Sequence, residues 1–318
     1  MTLLLLCGCS HRGDENLGLG NGAEAAVDVA RLTQPDELVR ALSLSGHDLD
    51  GKLGAHRMDA TESLKLELGD QKTATLDQTF AVQADGHGGV HLVHDNSRGN
   101  GFEAVALADD LYVKPRYGKF VRRKLESDEL ERLRTTAETA AASDLKLFER
   151  FVQVREAGTT TVAGHAGVKL TLSARSKPDA PAAETEPGRK WRETVTVRYI
   201  DGDVVLDAKS GAPLSVRIEA QYAIVLDGKP VQATLAYKQT TAALAAAVAA
   251  PADWTTLSAF VVIFEGHEFY VLNIPGIGTY AYDCSRTGTI EGAYGGSYGL
   301  GQWGEWASFN RASFRGRV

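Results

Sequence analysis

The chain has 318 residues, of which 43% are hydrophobic, and carries a formal net charge of −7. This length suits one large or two medium domains, each with its own hydrophobic core. The negative charge argues against a general nucleic-acid-binding protein, because such a protein needs a basic surface to neutralise phosphates.

The first ten residues, MTLLLLCGCS, are typical of an exported bacterial protein. The leucine run ends in Leu6-Cys7-Gly8-Cys9, which resembles the lipobox of bacterial lipoproteins, with Cys9 as the residue that would be acylated. No Lys or Arg precedes the leucines and the run is shorter than the apolar part of a complete signal peptide, so we expect the true start codon to lie upstream. The alternative is a cytosolic amino terminus whose cysteines occur there by chance. Residues 10–26 are rich in Gly, Asn, Asp and Glu and are predicted to be a tether.

The segment after the tether is predicted to begin with a helix. Thr33 provides a capping side chain, Pro35 suits the first helical position, and Asp36 places an acid in the first turn. We expect this helix to end at Gly46.

Apolar and polar residues then alternate in several runs, which predicts β-strands at residues 61–68, 73–84, 90–94, 102–113 and 168–174. Residues 127–152 break the alternation and are predicted to be helical, with an interruption at Ser143-Asp144.

Residues 191–237 contain the strongest strand pattern of the chain. Four alternating runs are separated by three groups of turn residues, which are Asp201-Gly202, residues 210–213 and Asp227-Gly228. An Asp-Gly pair between alternating runs is a strong hairpin signal, so we predict a meander of four strands. The predicted fold class is therefore α+β, a curved antiparallel half-barrel sheet with helices packed on one side.

Residues 27–253 resemble the LolA-like and LppX/LprG-like bacterial lipoproteins. The resemblance is carried by residues 111–120 (LYVKPRYGKF), 164–168 (GHAGV) and 204–214 (VVLDAKSGAPL). It implies an incomplete barrel, closed by helices, around an apolar cavity that takes acyl chains. The cavity-lining candidates are Leu66, Leu76, Phe80, Val82, Val197, Tyr199, Val216 and Ile218. The alternative is that these side chains fill a dry core, which would require the same apolar residues.

Six basic residues fall within eleven positions and are interleaved with aromatic residues. Four of them, Lys114, Arg116, Lys119 and Arg122, are candidates for binding an anionic lipid head group, and Arg123 and Lys124 follow directly. The alternative is a solvated strand edge whose cations discourage edge pairing.

No motif supports catalysis, a metal or a cofactor. His91 and His94 are three positions apart on a predicted strand and so point to opposite faces. Residues 295–299 match G-x-S-x-G but lack the strand before and the helix after that a nucleophile elbow needs. The cysteines, Cys7, Cys9 and Cys284, form neither a disulfide framework nor a zinc-binding spacing.

The composition changes near residue 254. Residues 255–318 contain twelve of the twenty-four aromatic residues and no lysine, and their alternation predicts a small three-stranded meander at 260–264, 268–274 and 279–282. This tail resembles segments of tailed-phage hub and DNA-stabilising proteins in residues 269–272, 280–283 and 303–306. The predicted domains are the signal remnant (1–9), the tether (10–26), the half-barrel (27–253) and the tail (254–318).

Together these patterns predict a lipoprotein anchored to a membrane of the bacterial cell envelope, facing the periplasm and most consistent with the outer membrane. It would bind or carry a lipid or an acylated protein, without catalysis, cofactor or nucleic acid. The alternative is a structural or interaction module, of phage origin, that binds a protein partner through its aromatic tail.

Overall fold

The structure is a computed structural model that describes residues 27–68, 72–116, 118–180, 183–185, 187–226, 228–256, 258–264, 267–274, 278–283 and 306–308. Helices α1 to α5 span Val29–Leu32, Pro35–Leu42, Gly46–Leu53, Glu129–Glu138 and Ala140–Phe148. Short 3-10 turns lie at Glu149–Phe151 and Pro187–Thr194. Among the described residues, no helix combines the length and the apolar character that crossing a bilayer requires.

The described strands, β1 to β16, form two sheets. Their bounds are His56–Glu67, Thr73–Ala84, Val90–Asn96, Gly101–Leu107, Asp110–Pro115, Phe120–Lys124, Val152–Val162, His165–Ala174, Thr196–Asp207, Pro213–Leu226, Lys229–Ala243, Trp254–Thr256, Ser258–Phe264, His267–Ile274, Gly278–Asp283 and Trp306–Ser308. The larger sheet has the order β12-β6-β5-β4-β3-β2-β1-β11-β10-β9-β8-β7, and the smaller one β13-β14-β15-β16. In the part of the chain that the structure describes, the order of the larger sheet begins at β12 and ends at β7 without closing, which confirms the predicted α+β half-barrel class.

The β10–β11 hairpin shows why the alternating pattern folds as it does. Every second residue of β10 is buried, from Leu214 to Ile224, because successive side chains of a strand point to opposite faces. Leu226 pairs with Lys229, so two residues connect the strands, and Gly228 takes a φ of +75° that suits glycine. The predicted hairpin at Asp227-Gly228 is confirmed.

The predicted turn at Asp201-Gly202 is wrong. Strand β9 runs without interruption through both residues, and Gly202 pairs with Ile218 of β10. A Cβ atom at Gly202 would lie 2.2 Å from the carbonyl oxygen of Arg217. The glycine therefore permits a close approach of two strand backbones and does not mark a turn.

The helix boundaries also differ from the predictions. The cap of α2 is Gln34, while the Thr33 hydroxyl donates to the carbonyl of Ala30 at 2.7 Å. Helix α2 ends at Leu42, and Gly46 begins the next helix. The predicted helical segment 127–152 is interrupted at Thr139, between α4 and α5, and Ser143 and Asp144 lie inside α5.

One further strand prediction needs correction, and one strand of the structure was not predicted. The predicted strand 102–113 is a hairpin, β4–β5, in which Leu107 pairs with Asp110 and Ala108 takes a φ of 48°. Strand β7 follows the helices and pairs with β8, but its central residues are mostly exposed and give no alternating apolar pattern.

The chain divides into two compact units. Unit 1 comprises Met1–Leu53, Met58–Asp77 and Glu138–Ala243, and unit 2 comprises Gly54–Arg57, Gln78–Ala137 and Leu244–Val318. The core of unit 1 includes Leu38, Leu145 and Phe148, and that of unit 2 includes Val82 and Leu111, all with no exposed surface.

The tail contains the predicted meander. Strand β14 pairs antiparallel with both β13 and β15. Strand β12, which the composition assigns to the tail, instead pairs in parallel with β6, Trp254 opposite Phe120. The domain boundaries of the sequence analysis stay predictions, and a boundary after Thr256 would keep β12 in the larger sheet.

Candidate functional site

The inner face of unit 1 is the apolar face of its strands that helices α2 and α5 help to cover. On β10, Val216 and Ile218 have no exposed surface. On α5, Ala141, Leu145 and Phe148 are buried, and the Phe148 ring meets that of Tyr222 edge-on with centroids 5.1 Å apart. The arrangement places a helix with one apolar face directly on a sheet with one apolar face.

The inner face becomes more accessible towards the β1–β2 hairpin. Met58 and Ala60 of β1 are buried, whereas Leu64 and Leu66, on the same face of that strand, are half-buried. Leu68, just beyond the end of β1, is 44% exposed. Apart from Glu62, this row of β1 is therefore apolar from the covered core out to the solvent.

Strand β2 extends this accessible row. The backbone of Leu68 donates to the carbonyl of Lys72 at 2.9 Å, and the Ser63 hydroxyl donates to Asp77 at 2.6 Å. These two bonds fix a register that places Leu64 opposite Leu76, which is also half-buried. We call Leu64, Leu66 and Leu76 the leucine stripe.

A cluster of polar side chains interrupts the apolar inner face. Asp144 lies three residues after Ala141 and four before Phe148, and so projects from the buried side of α5. Its Oδ2 atom is buried and receives no hydrogen bond from any residue in the described ranges. Burial raises the pKa of Asp144 well above its usual range, and the negative charge of Glu62 on β1 raises it further. The Asp144 carboxyl is therefore held towards its neutral form.

Two tyrosines belong to the same cluster. Burial, followed by the charges of Asp144 and Glu62, raises the pKa of Tyr222 to about 12 and shifts the pKa of Tyr237 in the same direction. The Tyr237 hydroxyl donates to Gln239 at 2.8 Å and contacts the backbone amide of Ala141. Because the cap residue of α5 makes no side-chain hydrogen bond, this tyrosine supplies an acceptor for an amide that the helix leaves unpaired.

The predicted cavity-lining residues fall in both units. Phe80 and Val82 are buried in unit 2, and the other six belong to unit 1, where Leu66 and Leu76 form part of the leucine stripe. Tyr199 needs correction, because it is 44% exposed and pairs with Gln221, which lies on the face opposite to Ile218. A register shift between Gln221 and Tyr222, where Val197 pairs with Tyr222, breaks the alternation that the prediction assumed for Val197 and Tyr199. A lipid-lining role for the other candidates stays a prediction.

All six cations of the basic segment have carboxylate partners. In unit 2 these pairs are Lys114 with Glu103, Arg116 with Asp95 (2.9 Å), Lys119 with Asp253 (3.5 Å), Arg122 with Asp110 (2.6 Å), Arg123 with Glu129, and Lys124 with Asp109 (4.0 Å). An anionic head group at this surface would compete with these acids. The head-group role of Lys114, Arg116, Lys119 and Arg122 stays a prediction.

The two histidines of β3 have separate surroundings. His91 pairs with Glu103 at 2.9 Å, whereas His94 stacks on Phe80 with ring centroids 4.6 Å apart. Burial lowers the pKa of His94, which favours its neutral form. The two imidazoles therefore take part in different local contacts.

No protein-family model and no curated protein matches the chain. Among solved structures it is similar to LprF from Mycobacterium bovis, with 15% identity over 69% of this chain and 98% of that one and a TM-score of 0.25. It is similar to the lipoprotein LppX from Mycobacterium tuberculosis, with 13% identity over 66% of this chain and 94% of that one and a TM-score of 0.22. It is also similar to a LolA superfamily protein from Nitrosomonas europaea, with 8% identity over 64% of this chain and 92% of that one and a TM-score of 0.18. The likeness concerns the fold and identifies no ligand.

Proposed function

We propose that the protein binds a lipid or another acylated molecule on the inner face of unit 1, without catalysing a reaction on it. The leucine stripe is the observation that carries this proposal, because it continues the buried apolar face of β1 to a surface that solvent reaches. Apolar surface left accessible in this way is stabilised when an apolar ligand covers it.

The proposal can be tested by binding of a hydrophobic fluorescent dye, N-phenyl-1-naphthylamine, and by native mass spectrometry of the protein purified from membranes. We expect Leu66→Asp to weaken dye binding at least about tenfold, because the ligand would then bury a carboxylate. Thr75→Asp is the matched control, since Thr75 lies on the exposed face of the same hairpin. A wild-type protein that carries no lipid and binds no dye would show the proposal to be wrong.

We further propose that the protein is a lipoprotein of the bacterial cell envelope, anchored through Cys9 to a membrane and facing the periplasm. The support is the lipobox-like sequence, and Cys9 lies outside the described residues. Metabolic labelling with a fatty acid should label the wild type and a Cys7→Ser control but not Cys9→Ser. Equal labelling of all three proteins would rule out this anchor.

The second sheet supports a second candidate function, assembly with a protein partner through the tail. Strands β13 to β16 form a sheet of their own, and a single small sheet needs further packing to bury its faces. Truncation after Thr256 preserves the β6–β12 pair and separates the two functions. Loss of dye binding together with a change in oligomeric state would favour the assembly function, whereas an unchanged binding curve would favour lipid binding.

A further inference from the structure

The Asp144 carboxyl is a destabilising feature that the packing of α5 does not explain. Its Oδ2 atom is buried on an otherwise apolar helix face, beside Ala141 and Phe148, and finds no donor among the described residues. A buried oxygen without a hydrogen bond destabilises the folded chain, whereas leucine at the same position would not carry this cost. An interacting group supplied by a ligand would remove the cost.

The protonation state of the Asp144 carboxyl determines which ligand group can form hydrogen bonds with it. Burial and the charge of Glu62 favour the protonated form of Asp144, which offers one O–H donor and a free acceptor oxygen. The charge of Glu62 also opposes a second anion at the same place. The complementary group is uncharged and both donates and accepts, as a hydroxyl group does.

The position of Glu62 connects this polar cluster with the leucine stripe. Glu62 precedes Leu64 by two residues on β1 and shares its face, so their Cα atoms lie about 7 Å apart. An acyl chain that lies along Leu64 and Leu66 would therefore bring its polar end close to Glu62 and Asp144. The spacing corresponds to a few methylene groups, which is within the reach of one lipid molecule.

We propose that Asp144 binds the uncharged hydroxyl group of a lipid, such as a fatty alcohol or a monoacylglycerol, whose chain lies on the leucine stripe. This proposal rests on the lipid-binding function proposed above and adds the chemical class of the ligand. Fatty acids in their anionic form and phospholipid phosphates would bind less well at this position.

The test is displacement of N-phenyl-1-naphthylamine by three ligands of equal chain length: dodecanol, dodecyl methyl ether and dodecanoate. We expect the wild type to bind dodecanol about three- to tenfold more tightly than the ether, the range that one hydrogen bond provides. In Asp144→Leu this preference should disappear while the dye still binds, because neither the O–H group nor the oxygen atom of the alcohol then has a partner. In Asp144→Asn most of it should remain, because a carboxamide also donates and accepts.

Ser143→Leu is the matched control, since Ser143 is the exposed neighbour of Asp144 on α5 and its substitution should change neither affinity. An Asp144→Leu protein that still prefers dodecanol, or a wild type that prefers dodecanoate, would overturn the assignment of Asp144 while lipid binding itself stands. A wild type that binds neither the dye nor any of the three ligands would instead overturn the proposed function. If Asp144→Leu does not fold, the Asp144→Asn measurement decides. An Asp144→Asn protein that still binds the dye but has lost the preference for dodecanol completely would contradict the proposal.

Discussion

Two buried carboxyl groups, Asp144 in unit 1 and Glu129 in unit 2, have pKa values shifted in opposite directions. Glu129 is 3% exposed, and Arg123 holds its carboxylate with two hydrogen bonds, one of 2.7 Å. Burial alone would raise the pKa of Glu129, but the hydrogen bonds and charge of Arg123 outweigh it and lower that pKa. Asp144 has no such partner among the described residues, so burial raises its pKa. The partner, more than the depth of burial, decides the charge of a buried acid.

The largest effect is expected from Phe148→Ala, which removes the helical cover beside Asp144. Loss of the buried ring and of its contact with Tyr222 should lower the free energy of unfolding by about 3–5 kcal/mol, because a cavity remains. Urea unfolding followed by circular dichroism measures this change. Lys146→Ala, on the exposed side of α5, is the control, and similar losses in both variants would contradict the packing described for this helix.

Asp144→Asn should remove a pH dependence that the wild type shows. The pKa of Asp144 is raised in the folded state. Its contribution to the free energy of unfolding is therefore fully present below the unfolded-state pKa of about 3.9 and is lost as the pH rises through the folded-state pKa. The variant should therefore gain stability over the wild type with rising pH, reaching about 1–3 kcal/mol at pH 7. Urea unfolding between pH 4 and pH 8 checks this, and parallel curves for the two proteins would refute it.

Arg123→Met should reveal the opposite pH dependence in unit 2. The pKa of Glu129 is lowered in the folded state. The contribution of the Arg123–Glu129 pair to the free energy of unfolding is therefore present above the unfolded-state pKa of about 4.3 and is lost as the pH falls through the folded-state pKa. At pH 7 the variant should lose about 1–3 kcal/mol, because a buried carboxylate is left without its partner. The loss should shrink in acid, and a loss that stays constant down to pH 3 would be inconsistent with this ion pair.

The smallest effect is expected from Lys119→Met. Lys119 and Asp253 are both well exposed and 3.5 Å apart, so water screens their attraction and the change should stay below about 0.5 kcal/mol. Thermal unfolding at low and high salt measures it, with Arg123→Met as the reference. A change as large as that of the reference would mean that Asp253 holds β12 in place through Lys119.

The sequence predicts the sheet better than the helices. Alternation identifies strands such as β10, where every second side chain from Leu214 to Ile224 is buried. It fails at Gly202, because a glycine needed for close backbone approach looks the same in sequence as a glycine in a turn. It also misses β7, whose mostly exposed residues carry no apolar pattern.

The candidate site is harder to predict from sequence, because its members come from distant positions. The six cations around Lys119 attract attention since they are adjacent in sequence, but their carboxylate partners neutralise them one by one. Asp144 and Glu62 meet only in the folded chain. One signal was available: Asp144 has helical spacing to the apolar residues Ala141 and Phe148, which indicates an acid on a buried face.

The parallel pairing of β12 with β6 gives the larger sheet a mechanical connection to the tail. Leu244 donates to the carbonyl of Ala55 at 3.0 Å, and Val248 donates to Asp85 at 3.3 Å, before Trp254 pairs with Phe120. A tensile force on the second sheet would therefore load the three-residue β6–β12 ladder first. That ladder would have to shear before the force reached the two anchoring contacts behind it.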